Sequence, residues 1–325
     1  MKPRINRIAF LLFLLTGLLL FLSACGMRRP DSNQYKVFLI AKSTQTEFWK
    51  SVFAGANAAK TEYNMDLHIL GPETEEDYEG QNALIQQAVK EGADAIVFSA
   101  ISYTNNAPSI DEAARSGVKV IVIDSDVDSS LVSARIGTDN IQAGRMTASA
   151  VLEVCPDPMI VGIVNFAQVS KNGEEREKGL REELEKDPRT GKLLTINVIT
   201  GQEEALQETI RFLQEHPEIN TLVALNEPLA VGAALAVDDL DLSDSVRLVA
   251  FDSNPICIDK MREGVVSALI VQNPFAMGYL GVEAAWKLLE GQTFNPDRLI
   301  DTSTTIITPE TMFTEEGQKA LFFFQ

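Results

Sequence analysis

Cysteine, histidine and tryptophan are scarce in this chain, with three, two and two copies among 325 residues. The histidines, His68 and His216, stand alone and no Cys-x-x-Cys occurs, so the ligand spacing of a metal site is missing. His216 precedes Pro217 at an apparent helix end, where a cation favours the helix dipole, and is read as structural. G-x-S-x-G, a P-loop and G-x-G-x-x-G are also absent, which removes the common routes to a nucleophilic serine, a nucleoside triphosphate and a dinucleotide. Basic residues are outnumbered, 28 Lys and Arg against 46 Asp and Glu, for a formal charge of -18. Phosphate binding needs a basic face, so nucleic acid is excluded as a partner and an acidic, solvated surface remains.

One long apolar run exists, near the N-terminus. Lys2, Arg4 and Arg7 precede an apolar stretch over 8–22, and Ser23-Ala24-Cys25 follows. Basic, apolar and small-residue regions in that order make a secretory signal peptide. An uncleaved anchor competes with it, but the run is at the short limit for crossing about 30 Å of hydrocarbon. Leu22-Ser23-Ala24-Cys25 looks like a bacterial lipobox, in which Cys25 is diacylated and becomes the new N-terminus. Residues 1–24 are then leader, and 25–35, polar and aperiodic, a tether. Two acyl chains, at about 0.8 kcal/mol per buried methylene, hold a protein on the bilayer almost permanently. The remainder is thereby placed outside the cytoplasmic membrane, at the cell surface or in the periplasm. Cys155 and Cys257 fall in a compartment that permits disulfides, but nothing in the sequence brings them close, and they are read as two separate buried thiols.

From residue 36 onward, strands and helices alternate. VFLI at 37–40 is apolar on both faces and too short for a helix, as a central strand of a helix-covered parallel sheet must be. Phe48, Trp49, Val52, Phe53, Ala56 and Ala59 then recur at helical spacing. Further strands are expected over 66–70, 95–98 and 118–123, with helices over 77–91 and 108–115; Gly92 ends the first of these. After a short strand at 134–136, Gly137-Thr138-Asp139-Asn140 caps a helix to about 154. Pro156 and Pro158 interrupt the chain, and a second series follows. Its strands are expected at 159–164, 194–199, 222–224, 247–251 and 267–272, its helices near 174–185, 203–215, 229–238, 255–262 and 274–289, and a late strand at 304–307. The prediction is an α/β chain with two doubly wound parallel-sheet domains, which suits 325 residues.

Ligands bind such sheets at the carboxyl ends of their strands. Those ends carry Asp124, Asn165 with Arg176 downstream, Asn226-Glu227-Pro228, Asp252-Ser253-Asn254-Pro255 and Gln272-Asn273-Pro274. The alternating aspartates after residue 123 do not make a calcium loop, because its sixth and twelfth positions are Ser129 and Arg135. Taken singly, each strand-end motif is a helix cap. Together with Asp124 and the Phe48-Trp49 pair they form a polar ring with an aromatic wall. Amides, carboxylates and a guanidinium suit neighbouring hydroxyls, and an aromatic face suits the C–H face of a sugar. Of the two aromatics, Phe48 is the nearer to plain core packing. Asp124 and Asp252 as paired glycosidase carboxylates are the enzymatic alternative; a binder without cofactor is preferred.

The segments KSTQTEFWKSVFAGANAA, VIVIDSD, IGTDNIQAGRMTA, NGEEREKGL, ALNEPLAVGAA, VAFDSNP and LIVQNPFAMGYLGVEAA resemble the ribose/galactose type of periplasmic sugar-binding proteins, whose domains are similar to the effector domains of LacI-type repressors. The resemblance covers roughly 36–308. It implies the type I periplasmic binding protein fold, with a hinge of three crossovers near Thr138, Gln272 and Ile300. The lobes would be 36–138 with 273–299, and 139–272 with 300–325. It implies ligand contacts at Gln45, Phe48, Trp49, Asp124, the adjacent Ser125, Arg176, Asn226, Asp252 and Gln272. Pentose-binding members usually carry Arg where Ser125 stands, and losing a guanidinium removes a bidentate hydroxyl clamp. The implied function is a monomeric, lipid-anchored receptor that closes over a small carbohydrate and presents it to the permease of an ABC importer. Signalling to a membrane histidine kinase or chemoreceptor is the alternative. A DNA-binding regulator with this effector fold would need a helix-turn-helix where the signal peptide lies. Replacing Cys25 by Ser is expected to abolish labelling with radioactive palmitate; a labelled variant would remove the lipobox assignment.

Overall fold

The computed structural model describes residues 34–166, 170–198 and 201–322; the leader and lipobox lie outside them. Within these segments no helix is long and apolar enough to cross a membrane. The end of the expected tether is docked, because the Tyr35 hydroxyl donates to Glu290 Oε1 at 2.9 Å and to the Leu289 carbonyl at 3.3 Å.

Twelve strands and ten helices are found among the described residues. The first half contributes β1 (Lys36–Ile40), α1 (Glu47–Tyr63), β2 (Asp66–Leu70), α2 (Tyr78–Lys90), β3 (Ala95–Phe98), α3 (Ala107–Arg115), β4 (Lys119–Ile123) and β5 (Ala134–Gly137). The second contributes α4 (Asn140–Val154), β6 (Met159–Phe166), α5 (Lys171–Leu184), β7 (Thr190–Val198), α6 (Gln202–Glu215), β8 (Thr221–Ala224), α7 (Glu227–Asp239), β9 (Arg247–Phe251), α8 (Pro255–Arg262) and β10 (Val266–Val271). The chain closes with α9 (Pro274–Leu289), β11 (Leu299–Asp301), β12 (Thr305–Ile307) and α10 (Glu315–Leu321).

Two six-stranded sheets result, ordered β11-β5-β4-β3-β1-β2 and β12-β10-β9-β8-β6-β7. Every pairing is parallel except β12 on β10. Parallel strands covered by helices on both faces need apolar side chains throughout, and β3 and β8 are buried at every position. Without the edge strands, each sheet has the doubly wound order with its switch point beside its first strand, between β1 and β3 and between β6 and β8.

Three crossings join the lobes. The chain leaves after β5, returns after β10 to place α9 in the first-lobe core, and leaves again after β11. The crossings touch: Thr138 Oγ1 donates to Gln272 Oε1 at 2.8 Å, and Thr302 N to the Gly137 carbonyl at 2.9 Å. Ile300 and Asp301, assigned to the second lobe by the sequence, pair with Ile136 and Gly137 in the first sheet, so the third crossing begins beyond Asp301. A three-residue edge strand with two exposed ends carries no apolar period to announce it. Cys155 and Cys257 are both free thiols; Cys257 is buried as expected, whereas Cys155 is only half-buried.

Each lobe joins two helices through facing glycines. A methyl on Gly55 would overlap the Phe275 carbonyl and one on Gly278 the Val52 carbonyl, which locks α1 to α9. Likewise Gly144 faces the Arg176 carbonyl and Gly179 the Ile141 carbonyl, which locks α4 to α5. Interiors at crystal-like density cannot absorb an added methyl without backbone movement. Gly278→Ala is therefore expected to cost about 1–3 kcal/mol, read by calorimetry as a melting temperature lower by several degrees; an unchanged melting temperature would contradict the packing described.

Candidate functional site

β4 and β9 end alike. Asp124 and Asp252 follow them with φ of 56° and 70°, in the left-handed region that Asn, Asp and Gly enter most readily. The turns bring both carboxyl groups to one cavity at the switch-point edges. Asp124 accepts from Ser99 Oγ at 2.9 Å and from Asn172 Nδ2, on the other lobe, at 3.3 Å. Asp252 accepts from Gln272 Nε2 at 2.7 Å.

Arg176, in the second turn of α5, is 1% exposed, and each donor group has an acceptor. Nε donates to Asn140 Oδ1 at 2.9 Å, Nη1 to the Leu225 carbonyl at 2.8 Å and Nη2 to Gln272 Oε1 at 2.8 Å, while the guanidinium lies 4.4 Å from the centre of the Phe251 ring. Burial holds the Arg176 pKa below its usual range. Burial also pushes the Asp252 carboxyl up to about 7, against the opposing pull of Arg176 and of the Gln272 hydrogen bond. Seven of the residues expected at the ligand border this cavity: Phe48, Trp49, Asp124, Arg176, Asn226, Asp252 and Gln272.

Two expected residues are placed elsewhere. Gln45 is exposed, donates to Thr44 Oγ1 at 3.1 Å and borders an adjoining cavity of about 460 Å³ at the mouth between the lobes. Ser125 is buried behind the border, its Oγ 3.3 Å from Ser170 Oγ. The aromatic order is also reversed. Trp49 is 1% exposed, donates from its indole to Glu75 Oε1 at 2.9 Å and belongs to the first-lobe core, touching the cavity with one side; Phe48 is the half-buried member. Asn226 borders the cavity while also capping α7, accepting from Leu229 N at 3.2 Å.

Glu227, expected in the polar ring but not as a ligand contact, and Lys42, not expected in the site at all, also border the cavity. Glu227, at the start of α7, is 5% exposed and accepts from Phe48 N at 2.7 Å and Glu47 N at 3.1 Å across the cleft, as well as from Asn254 Nδ2 at 2.7 Å. A carboxylate at a helix N-terminus meets free N–H groups and the positive end of the dipole, here those of α1. Burial nonetheless raises the Glu227 pKa. Its signal was the charge in Asn226-Glu227-Pro228, where helix capping needs only the asparagine. Lys42 is 3% exposed with its ammonium 3.2 Å from Glu75 Oε2. The lobes thus touch across the cleft; the central cavity, of about 20 Å³, has room for about one water and adjoins the larger cavity at the mouth through Glu75, Phe166 and Asn226, which border both.

Residues 37–293 match the family model described as periplasmic binding protein domain. The chain is 24% identical to the D-ribose/D-allose-binding protein of Pseudomonas aeruginosa, over 95% of this chain and 99% of that one. It is similar in structure, with a TM-score of 0.84 and 26% identity, to a carbohydrate transporter solute-binding protein from Agrobacterium radiobacter in complex with D-arabinose, covering 90% of this chain and all of that one. It is also similar to the XylFII–LytSN complex, with a TM-score of 0.79 and 28% identity over 86% of this chain and 99% of that one.

The pKa of Asp252 has a consequence for stability. With the folded value near 7 and the ordinary carboxyl value of 3.8 in the unfolded chain, the folded chain holds an extra proton between them and loses stability as pH rises through that window. Asp252→Asn removes this contribution, so the melting temperature of the variant minus that of the wild type is expected to climb between pH about 4 and about 7 and then level off. A difference that stays constant in scanning calorimetry would overturn the assignment.

Proposed function

The chain belongs to the periplasmic binding protein domain family, and from that premise we propose that it is an extracytoplasmic, lipid-anchored receptor that closes two lobes over a small neutral sugar and delivers it to the permease of an ABC importer. The observation that carries this reading is the ring of Asp124, Arg176, Asp252 and Gln272, drawn from both lobes around one cavity at the switch-point edges. Charge-assisted hydrogen bonds to hydroxyls contribute about 1.5–3 kcal/mol each. A few of them, with contact on Phe48, can exceed the ordering cost and reach the ~8 kcal/mol of micromolar binding. Lobe closure is the step that makes binding visible to a partner, since a ligand shifts an equilibrium only by its preference for one state. The sugar-binding relatives support the ligand class.

A sensor role is the second reading, favoured by the likeness to the XylFII–LytSN complex. In either role the protein binds and releases its ligand rather than converting it, a reading supported by relatives that are sugar-binding proteins.

Titration calorimetry against neutral pentoses, hexoses and inositols is expected to give one-to-one binding with the ligand recovered unchanged. Arg176→Ala and Asp252→Ala should each weaken it at least about ten-fold, or about 1.4 kcal/mol. Affinities within a few-fold of the wild type would move the site away from this cavity.

A further inference from the structure

A further cavity, of about 250 Å³, shares Phe48, Glu227, Asp252 and Gln272 with the central one. The first lobe supplies Ser51 and Ala54 of α1 and Pro274 at the start of α9. The second supplies Pro255 at the start of α8, and Leu321 and Phe322 at the end of α10. Its walls are therefore largely apolar, and both lobes are needed to complete them. An apolar cavity of about 150 Å³ accepts benzene, so this one has room for a single ring with a short substituent.

The polar groups on these walls narrow the chemistry. Lys50 is paired with Glu47 at 2.6 Å, Glu227 accepts from two backbone N–H groups and from Asn254, and Asp252 accepts from Gln272. Each charged group thus has a partner before any ligand arrives. Ser51 differs: it is 9% exposed, and among the described residues its buried Oγ has no hydrogen-bond partner. A buried hydroxyl left in that condition is costly, and it can both donate and accept.

We propose that this cavity is a second binding site, for a small uncharged ligand with an apolar ring and one hydroxyl, and that its occupancy favours closure of the lobes. The ring fills the space among Ala54, Pro255, Pro274, Leu321 and Phe322, and the hydroxyl meets Ser51 Oγ. A carboxylate or ammonium in its place loses its hydration and finds no free counter-charge. Since the walls come from both lobes, the ligand makes all its contacts only when the lobes are together, and it prefers that state. The coupling to sugar rests on the receptor function proposed above: each ligand then strengthens the binding of the other by the same factor.

The test is titration calorimetry of the intact chain with benzyl alcohol, cyclohexanol, benzoate and benzylammonium, each without sugar and with D-ribose, D-arabinose, D-allose or D-galactose. At least one alcohol is expected to bind one-to-one, with both ions at least about ten-fold weaker. Sugar is expected to tighten the alcohol at least about five-fold. Ala54→Leu, which fills the cavity, should abolish alcohol binding while sugar affinity and melting temperature stay close to the wild type. Should that variant not fold, Ser51→Ala is expected to lower affinity for benzyl alcohol to that for toluene; an unchanged preference for the alcohol counts against the proposal. Failure of both alcohols under every condition, a preference for an ion, undiminished binding by folded Ala54→Leu, or competition between alcohol and sugar overturns the second site and leaves the receptor reading standing. Alcohol binding that a bound sugar leaves unchanged overturns the coupling to closure. Alcohol binding by a chain that takes none of the four sugars counts against the receptor reading and leaves the second site standing.

Discussion

A buried guanidinium stays charged and must have acceptors wherever the chain puts it, and the cleft is arranged around that demand at Arg176. Its acceptors come from three separate elements: the first residue of α4, the carbonyl that follows β8, and Gln272 at the end of β10. The same Gln272 accepts from Thr138 on the first crossing and donates to Asp252 after β9. One side chain thereby ties the hinge to the ligand edge. The glycine contact between α4 and α5 has its place in this arrangement, since the Arg176 carbonyl is the atom that faces Gly144. Separating those helices would move the guanidinium from its acceptors, so helix packing and site geometry are one constraint.

The two lobes meet similar requirements with different residues. Each has a doubly wound sheet, a left-handed aspartate after its fourth strand in the lobe, and a pair of helices locked by glycines. Asp124 and Asp252 both occupy backbone geometry that costs free energy, of order 1 kcal/mol or more in each case. That strain recurs at the two places where a carboxyl group turns toward the cleft. Their surroundings then diverge: Asp252 is held in the buried Arg176–Gln272 network, while Asp124 is only half-buried and shared between Ser99 and Asn172.

The fold was legible because strand and helix signals are local. Each β/α unit follows from its own apolar period, a signal that the short β11, the seven-residue α10 and the exposed start of β7 lacked. The strand-end rule also reached Asp124, Arg176, Asp252 and Gln272, since burial at a sheet edge depends on sequence position. Contacts across the cleft were not legible. A helical stripe could not say whether Phe48 or Trp49 faces inward, and no local signal in the sequence sets Lys42 apart from a loop charge or brings Glu227 to the N-terminus of α1. Ser125 in place of an arginine read as the loss of a cation. In the folded chain Ser170 meets both Ser125 and the ammonium of Lys42, so a cation from the end of β1 reaches the same hydroxyl pair.

Closure therefore has a protein component independent of any ligand. Glu227 on the N-terminus of α1 and Asn172 on Asp124 bridge the lobes directly. Such contacts are near balance. When the lobes part, the N–H groups of α1 and the carboxylate return to water, and the desolvation that raises the pKa of Glu227 is relieved. A strongly favourable latch would hold the cleft shut and keep ligand out, while no latch would leave the full cost of ordering the lobes to the ligand. Arg176, Asp252 and Gln272 are buried in this closed form, so a sugar that is to meet them enters with the lobes parted. Its hydroxyls then replace bridging contacts as well as adding new ones. The free energy that drives closure is consequently the difference between sugar and protein as partners for the same carboxylates, amides and ammonium, and it is in that difference that one polyol is distinguished from another.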